Sequence, residues 1–315
     1  MALDSWRGQA TLRFDRRGAR TVHQGGATAP LKLQRAFDQP GGFCELPLLH
    51  TAGGLVGGDR LELELQGGPG SRSLLTTAAA QKVYGSAGRS RLHPAGQWAR
   101  QQVTLTLASG SRLEWLPQEM VLYAGALMEQ RLQVQLPGDA GFLAAEVVRL
   151  GRTAAGESLE GGQWRSTLEI CRIDRGQRRW ELVDRLALGG APLHSPHGLN
   201  GEPVFGSLGW AAPLPLRAAD LQQLLEHCRQ DRHGLEGTMA VGALEQGLIA
   251  RYRGGSTQAA RFWFCRLWAR LRAAAGLPPP VLPRLWPFQE QPWSTAPVQV
   301  EPFAAQGAAT VIPCT

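Results

Sequence analysis

The sequence predicts a mainly β protein, a sandwich, barrel or sheet-built solenoid, with two helices late in the chain. Three observations predict it. Strict apolar/polar alternation recurs in several short segments, which marks strands with one buried and one wet face. Glycine (39) and proline (21) punctuate the 315 residues often enough to favour many short elements joined by turns. Helical periodicity is confined to two late stretches, so the crossover helices of a doubly wound α/β fold are missing.

The elements follow in chain order. Candidate strands surround Leu12–Phe14 and Leu31–Leu33. "RLELELQ" turns Leu61, Leu63 and Leu65 one way and Arg60, Glu62, Glu64 and Gln66 the other. "QVTLTLAS" repeats the pattern with Val103, Leu105 and Leu107, and "RLQVQLPG" with Leu132, Val134 and Leu136 before stopping at Pro137-Gly138. Further strands are expected at Leu113–Leu116, Ala144–Leu150, Leu168–Ile173 and Arg179–Leu188. No fixed-period repeat is visible. One helix is expected near 217–230, where Leu221, Leu224, Leu225 and Cys228 share a face; a second is expected near 256–275, with Phe264, Leu267, Trp268 and Leu271 at the same spacing. Ser256 can cap its start, and Gly276 with Pro278 can end it. Between the helices, Met239, Val241 and Ala243 should face Leu248, Ala250 and Tyr252 across a hairpin. Residues 1–289 are expected to form a single domain, and 290–315 a flexible tail.

Composition narrows the function classes. The formal charge is +7, yet the arginines are scattered singly or in pairs, without a basic stripe interleaved with aromatics, which argues against a nucleic-acid partner. No apolar run has the length of a membrane span, and the start lacks the apolar core of a secretory signal, so no membrane partner and a cytoplasmic location are expected. Five dispersed cysteines without a C-x-x-C pair fit reduced thiols. Ten tryptophans, three of them (Trp263, Trp268, Trp286) near the second helix, read as core, with an interface as the competing view.

Sites of chemistry are harder to find. "LLHTAGGLVGGD" is rich in glycine, but Asp59 and Arg60 follow Gly57-Gly58 where a phosphate loop needs lysine and serine or threonine, and a strand follows where a helix should begin. A turn or close backbone approach fits better. No nucleophile elbow and no H-E-x-x-H motif occurs. His194 and His197 have metal-like spacing but straddle Pro196, which favours a surface turn. Cys44 with His50 is a dyad that nothing else in the sequence supports. Asp59, Glu114, Glu119, Glu146 and Glu157 flank apolar segments; ordinary surface acids are expected unless they prove to be buried.

The order of motifs goes further. "LLHTAGGLVGGD", "LLTTAAAQKVYGSAG", "LEWLPQEMVLYAGA" and "GRTAAGESLEGGQWR", followed by "ELVDRLAL", "GLIARYRG" and "PRLW", closely resemble the urease accessory protein family called UreD or UreH, from about Trp6 to Trp286. The resemblance implies a mostly β, helically wound arrangement of sheets, β-solenoid or sandwich-like, with two C-terminal α-helices. It implies a non-catalytic scaffold without a permanent cofactor, which binds urease apoprotein and recruits UreF and the GTPase UreG. It also implies nickel delivery through an internal passage. Asp59, Glu119 and Glu157 lie in the matching motifs and are the expected acids of a transient nickel route, since Ni²⁺ takes oxygen and nitrogen ligands and a carrier must hold it loosely. A sheet-based hydrolase or carbohydrate-binding module is the competing expectation.

Overall fold

The computed structural model describes residues 5–286 and 291–293. The strands are β1 (Arg7–Arg17), β2 (Arg20–Ala27), β3 (Leu31–Leu33), β4 (Phe37–Gln39), β5 (Phe43–His50), β6 (Arg60–Gly67), β7 (Arg72–Thr77), β8 (Gln81–Val83), β9 (Ala99–Leu107) and β10 (Arg112–Trp115). They continue as β11 (Met120–Leu122), β12 (Leu127–Leu136), β13 (Gly141–Leu150), β14 (Gln163–Asp174) and β15 (Gln177–Leu188). A one-turn helix α1 (Ala191–His194), strand β16 (Val204–Ala211), helix α2 (Ala218–Gln230), hairpin β17 (Thr238–Leu244) and β18 (Gly247–Gly254), and helix α3 (Thr257–Ala274) complete the order.

From β5 to β14 the long strands alternate between two sheets. One sheet runs β15-β14-β12-β9-β6-β1-β2 and the other β17-β18-β16-β13-β10-β7-β5-β3. The pairs β6/β9, β9/β12 and β12/β14 are parallel in the first sheet, as are β5/β7, β7/β10 and β10/β13 in the second. The chain therefore coils: each turn lays one strand on one sheet and the next on the other. That winding supplies the parallel crossovers that helices supply elsewhere, so the first sheet can keep a wet outer face and an alternating pattern. Neither sheet closes into a barrel. The expected mainly β, helically wound fold is what the chain forms.

In-register rows of aliphatic side chains stack between the sheets. Leu12, Leu65, Leu105, Val134 and Ile170 form one such row across β1, β6, β9, β12 and β14, each 2 % exposed or less. The other face of the second sheet is covered by α2 and α3, which bury Leu224, Leu225, Trp263, Leu267 and Trp268 against Leu143, Leu208 and Trp210. β16 is buried on both faces in consequence. Trp263 and Trp268 are thus core residues. Ser256 caps α3 by accepting from the Ala259 N–H at 3.1 Å, and the hairpin pairs Met239 with Tyr252, Val241 with Ala250 and Ala243 with Leu248, as the alternation required.

A third ladder forms at one corner of the coil. Leu55 pairs with Val83, Val83 with Leu122, and Leu122 with Leu150, all buried. Each rung bonds the next through backbone: Tyr84 N to Leu55 O at 2.9 Å, Tyr123 N to Val83 O at 3.0 Å, Gly151 N to Leu122 O at 2.7 Å. The segments carrying these rungs are the glycine motifs of the sequence. The residue steps between rungs differ, which is why no fixed period shows. Gly151 sits at φ +99°, and a Cβ there would lie 2.2 Å from the Glu157 carbonyl oxygen. Gly151→Ala is expected to cost about 2 kcal/mol or more in urea denaturation; a loss below about 0.5 kcal/mol, the scatter of ordinary surface changes, would contradict this role.

The expected tail, 290–315, lies outside the described residues apart from 291–293. Among the described residues no helix is long and apolar enough to cross a membrane.

Candidate functional site

A cavity of about 260 Å³ lies between the two sheets. Its walls are mostly apolar: Leu61, Leu63, Val103 and Leu132 on the first sheet, Trp115, Ala144 and Val148 on the second. It reaches the surface beside exposed Gly53, Ala79 and Lys82, where His50, Gln81 and Gln118 also line it. Its deep end is polar and is built by strand register. Gln101, Gln130 and Ser166 occupy one row across β9, β12 and β14, and Glu146 and Ser207 pair across β13 and β16.

Glu146 is the centre of that deep end. Gln130 donates to its Oε2, and the Ser166 hydroxyl donates to Oε1 at 3.3 Å. Burial pushes its carboxyl up to about 7; Arg251 and the Ser166 and Gln130 hydrogen bonds oppose the rise, and Asp184 adds to it. His50 marks the mouth. Its Nδ1 lies 3.4 Å from the Gln81 amide nitrogen, and its buried Nε2 has no hydrogen-bond partner. Burial lowers its pKa, against the pull of Asp59, which favours the neutral imidazole, the form that ligates metals. The lining therefore offers one imidazole, several amides and hydroxyls, and one carboxyl group.

The acids expected from the sequence stand elsewhere. Asp59 is 1 % exposed and accepts backbone N–H groups from Trp6 at 3.0 Å and Val56 at 2.9 Å, which fixes the glycine corner. A Cβ on Gly57 would lie 2.1 Å from the Ser86 hydroxyl of the next coil, so that glycine serves close approach. Glu119 pairs with Arg261 of α3 at 2.9 Å. Glu157 pairs with Arg152, which holds its carboxyl below the usual range, and accepts the Ala124 N–H at 3.0 Å. The fold does not gather these three, and none of them lines the cavity. Among the described residues no group of three or more His, Cys, Asp or Glu side chains is placed to hold a metal ion. His194 and His197 are exposed at the turn after β15. Cys44 and His50 sit at opposite ends of β5, and burial with the carboxylates of Asp38 and Glu45 pushes the Cys44 thiol up to about 11. Glu114 is buried and accepts a two-pronged bond from Arg272 at 2.7 and 2.6 Å.

Sequence comparison places this geometry. A model of the family described as UreD urease accessory protein matches residues 7–287. The chain belongs to that family. It is 62 % identical over 298 residues to the urease accessory protein UreD of Synechococcus sp. (strain WH7805), covering 92 % of this chain and 93 % of that one. It is 60 % identical over 309 residues to the UreD of Parasynechococcus marenigrum (strain WH8102), with 98 % of both chains covered. The UreD of Prochlorococcus marinus (strain MIT 9303) is 55 % identical over 293 residues, 91 % of this chain and 98 % of that one. Membership supports an accessory role in urease maturation. The motifs that carry the UreD resemblance in this chain largely coincide with the rungs of the corner ladder.

Proposed function

We propose that this chain is a cytoplasmic, non-catalytic urease maturation scaffold that binds the urease apoprotein, recruits UreF and UreG, and passes nickel through the cavity between its sheets. The observation that carries the reading is the cavity itself, with the unpartnered His50 Nε2 at its mouth and the Glu146 carboxylate at its deep end. One imidazole, neutral amides and hydroxyls, and one carboxylate bind Ni²⁺ weakly compared with a closed thiolate or multi-histidine cage. Weak, serial ligation suits a conduit, because a carrier that binds tightly does not release. Asp59, Glu119 and Glu157 serve the route by shaping it: Asp59 through the corner beside His50, Glu119 by tying α3 to the mouth-lining segment, Glu157 by fixing the ladder.

The test is restoration of nickel-dependent urease activity by this chain in cells lacking their own UreD-like protein, with copurification of UreF, UreG and urease subunits. Restored activity and a stable assembly are expected. Turnover of a substrate by the isolated chain, without assembly, would replace the scaffold by an enzyme.

A further inference from the structure

The cavity has a second, closed end. Beyond Glu146 the inner face of the second sheet continues to Ser207 on β16 and Arg251 on β18, directly paired in register. Opposite, Asp184 on the edge strand β15 pairs with inward-facing Leu168 and so faces the same gap. Arg251 spans it. Its Nη1 donates to the Ser207 hydroxyl, its Nη2 lies 2.6 Å from Asp184 Oδ2, and its guanidinium rests 5.6 Å from the Phe205 ring centroid. The ion pair joins the two sheets near their edge: β15 ends the first, and β17 alone lies beyond β18 in the second. On one flank the sheets pinch together, since a Cβ on Gly209 would lie 3.1 Å from Leu168 and 3.4 Å from Leu182. The Arg251 side chain keeps 28 % and Asp184 15 % of their accessible surface, so the pair stands between the polar deep end and solvent.

We propose that Arg251 and Asp184 form a latch on the inner end of the cavity, and that the passage opens to the outside there when the pair parts. The proposal rests on the conduit reading for its purpose but not for its geometry. Arg251 acts as a positioning residue: it closes the gap and places a fixed positive charge beside Glu146. A divalent cation arriving at Glu146 meets that charge as repulsion, which favours withdrawal of the guanidinium and release of Asp184 to the wet side. The latch is suited to such a role because a partly exposed ion pair is worth little, so modest forces open it.

The test reads closure without nickel. Ser166→Cys puts a thiol in the deep end, and its modification by the small neutral reagent methyl methanethiosulfonate is followed at that residue by mass spectrometry. Adding Arg251→Gln or Asp184→Asn should speed modification about tenfold, equivalent to about 1.4 kcal/mol in the opening equilibrium. Arg251→Lys, which keeps the charge, should stay within about twofold of the Ser166→Cys parent, as should Arg185→Gln, which breaks the exposed Arg185–Glu169 pair on the same sheet. Unchanged rates in both latch variants, or equal acceleration by Arg185→Gln, overturn the latch. The conduit reading fails separately, if Glu146→Gln activates urease normally, and that result leaves the labelling outcome standing.

Discussion

Arg272→Met, with Glu114 left in place, is expected to destabilise the fold by about 3–5 kcal/mol. The guanidinium of α3 meets Glu114 of β10 through two hydrogen bonds of 2.7 and 2.6 Å, and both side chains are nearly sealed from solvent. Phe43 and Trp268 cover it, with ring centroids 4.1 and 4.8 Å from its central carbon. Methionine fills the space but leaves a buried carboxylate without a cation, and that is where the cost arises. Glu114→Leu combined with Arg272→Met should recover most of the loss, because neither charge then has to be desolvated. Urea denaturation of the two single variants and the double variant decides it. A single-variant loss under about 1 kcal/mol, the size of an exposed ion pair, would mean that α3 is not pinned through this pair.

Glu146→Gln is expected to lower nickel-dependent urease activation by about tenfold or more while leaving the fold intact, the size seen when a positioned ligand or its support is removed from a metal path. Glutamine keeps the shape and can still meet Gln130 and Ser166, so packing is preserved. The stability consequence has a definite sign. The folded carboxyl is raised from 4.5 to about 7, so the fold prefers the protonated acid. The stability this group contributes is complete below about pH 4.5 and is lost as pH rises to about 7. Glu146→Gln removes that loss and should be more stable than the parent by about 2 kcal/mol at pH 7.5, a figure already reduced for solvent in the cavity. Denaturation of both proteins at pH 5 and pH 7.5 checks it: the difference must grow with pH. A carboxylate pinned by a cation in the resting state would give the reverse.

Much of the architecture was legible in the sequence. The alternating leucines of β6, the register of the β17/β18 hairpin and both long helices follow from spacing alone. The cavity was not, and the reason is specific. In β9 and β12 the apolar alternation begins at Val103 and at Leu132, yet each strand extends further towards its N-terminus. The next inward residues are Gln101 and Gln130, and on β14 Ser166 precedes Leu168 in the same way. Polar residues at inward positions looked like strand ends, whereas they are the polar deep end of the site. Glu146 carried the same signal, sharing parity with Ala144, Val148 and Leu150. The motif acids Asp59, Glu119 and Glu157 lie in recognisable segments, and those segments form the stacking corners. His50 could be seen in the sequence; its free nitrogen and the open mouth beside it depend on residues from several coils.

The corner ladder has a consequence for how such a protein can change. Each rung bonds its neighbour in the ladder, and the cavity lies along the stack, walled by side chains of successive coils. Duplicating one internal coil would therefore lengthen the channel by one strand spacing, about 4.8 Å, while both ends stayed as they are. Reach across the molecule is then set by the number of windings.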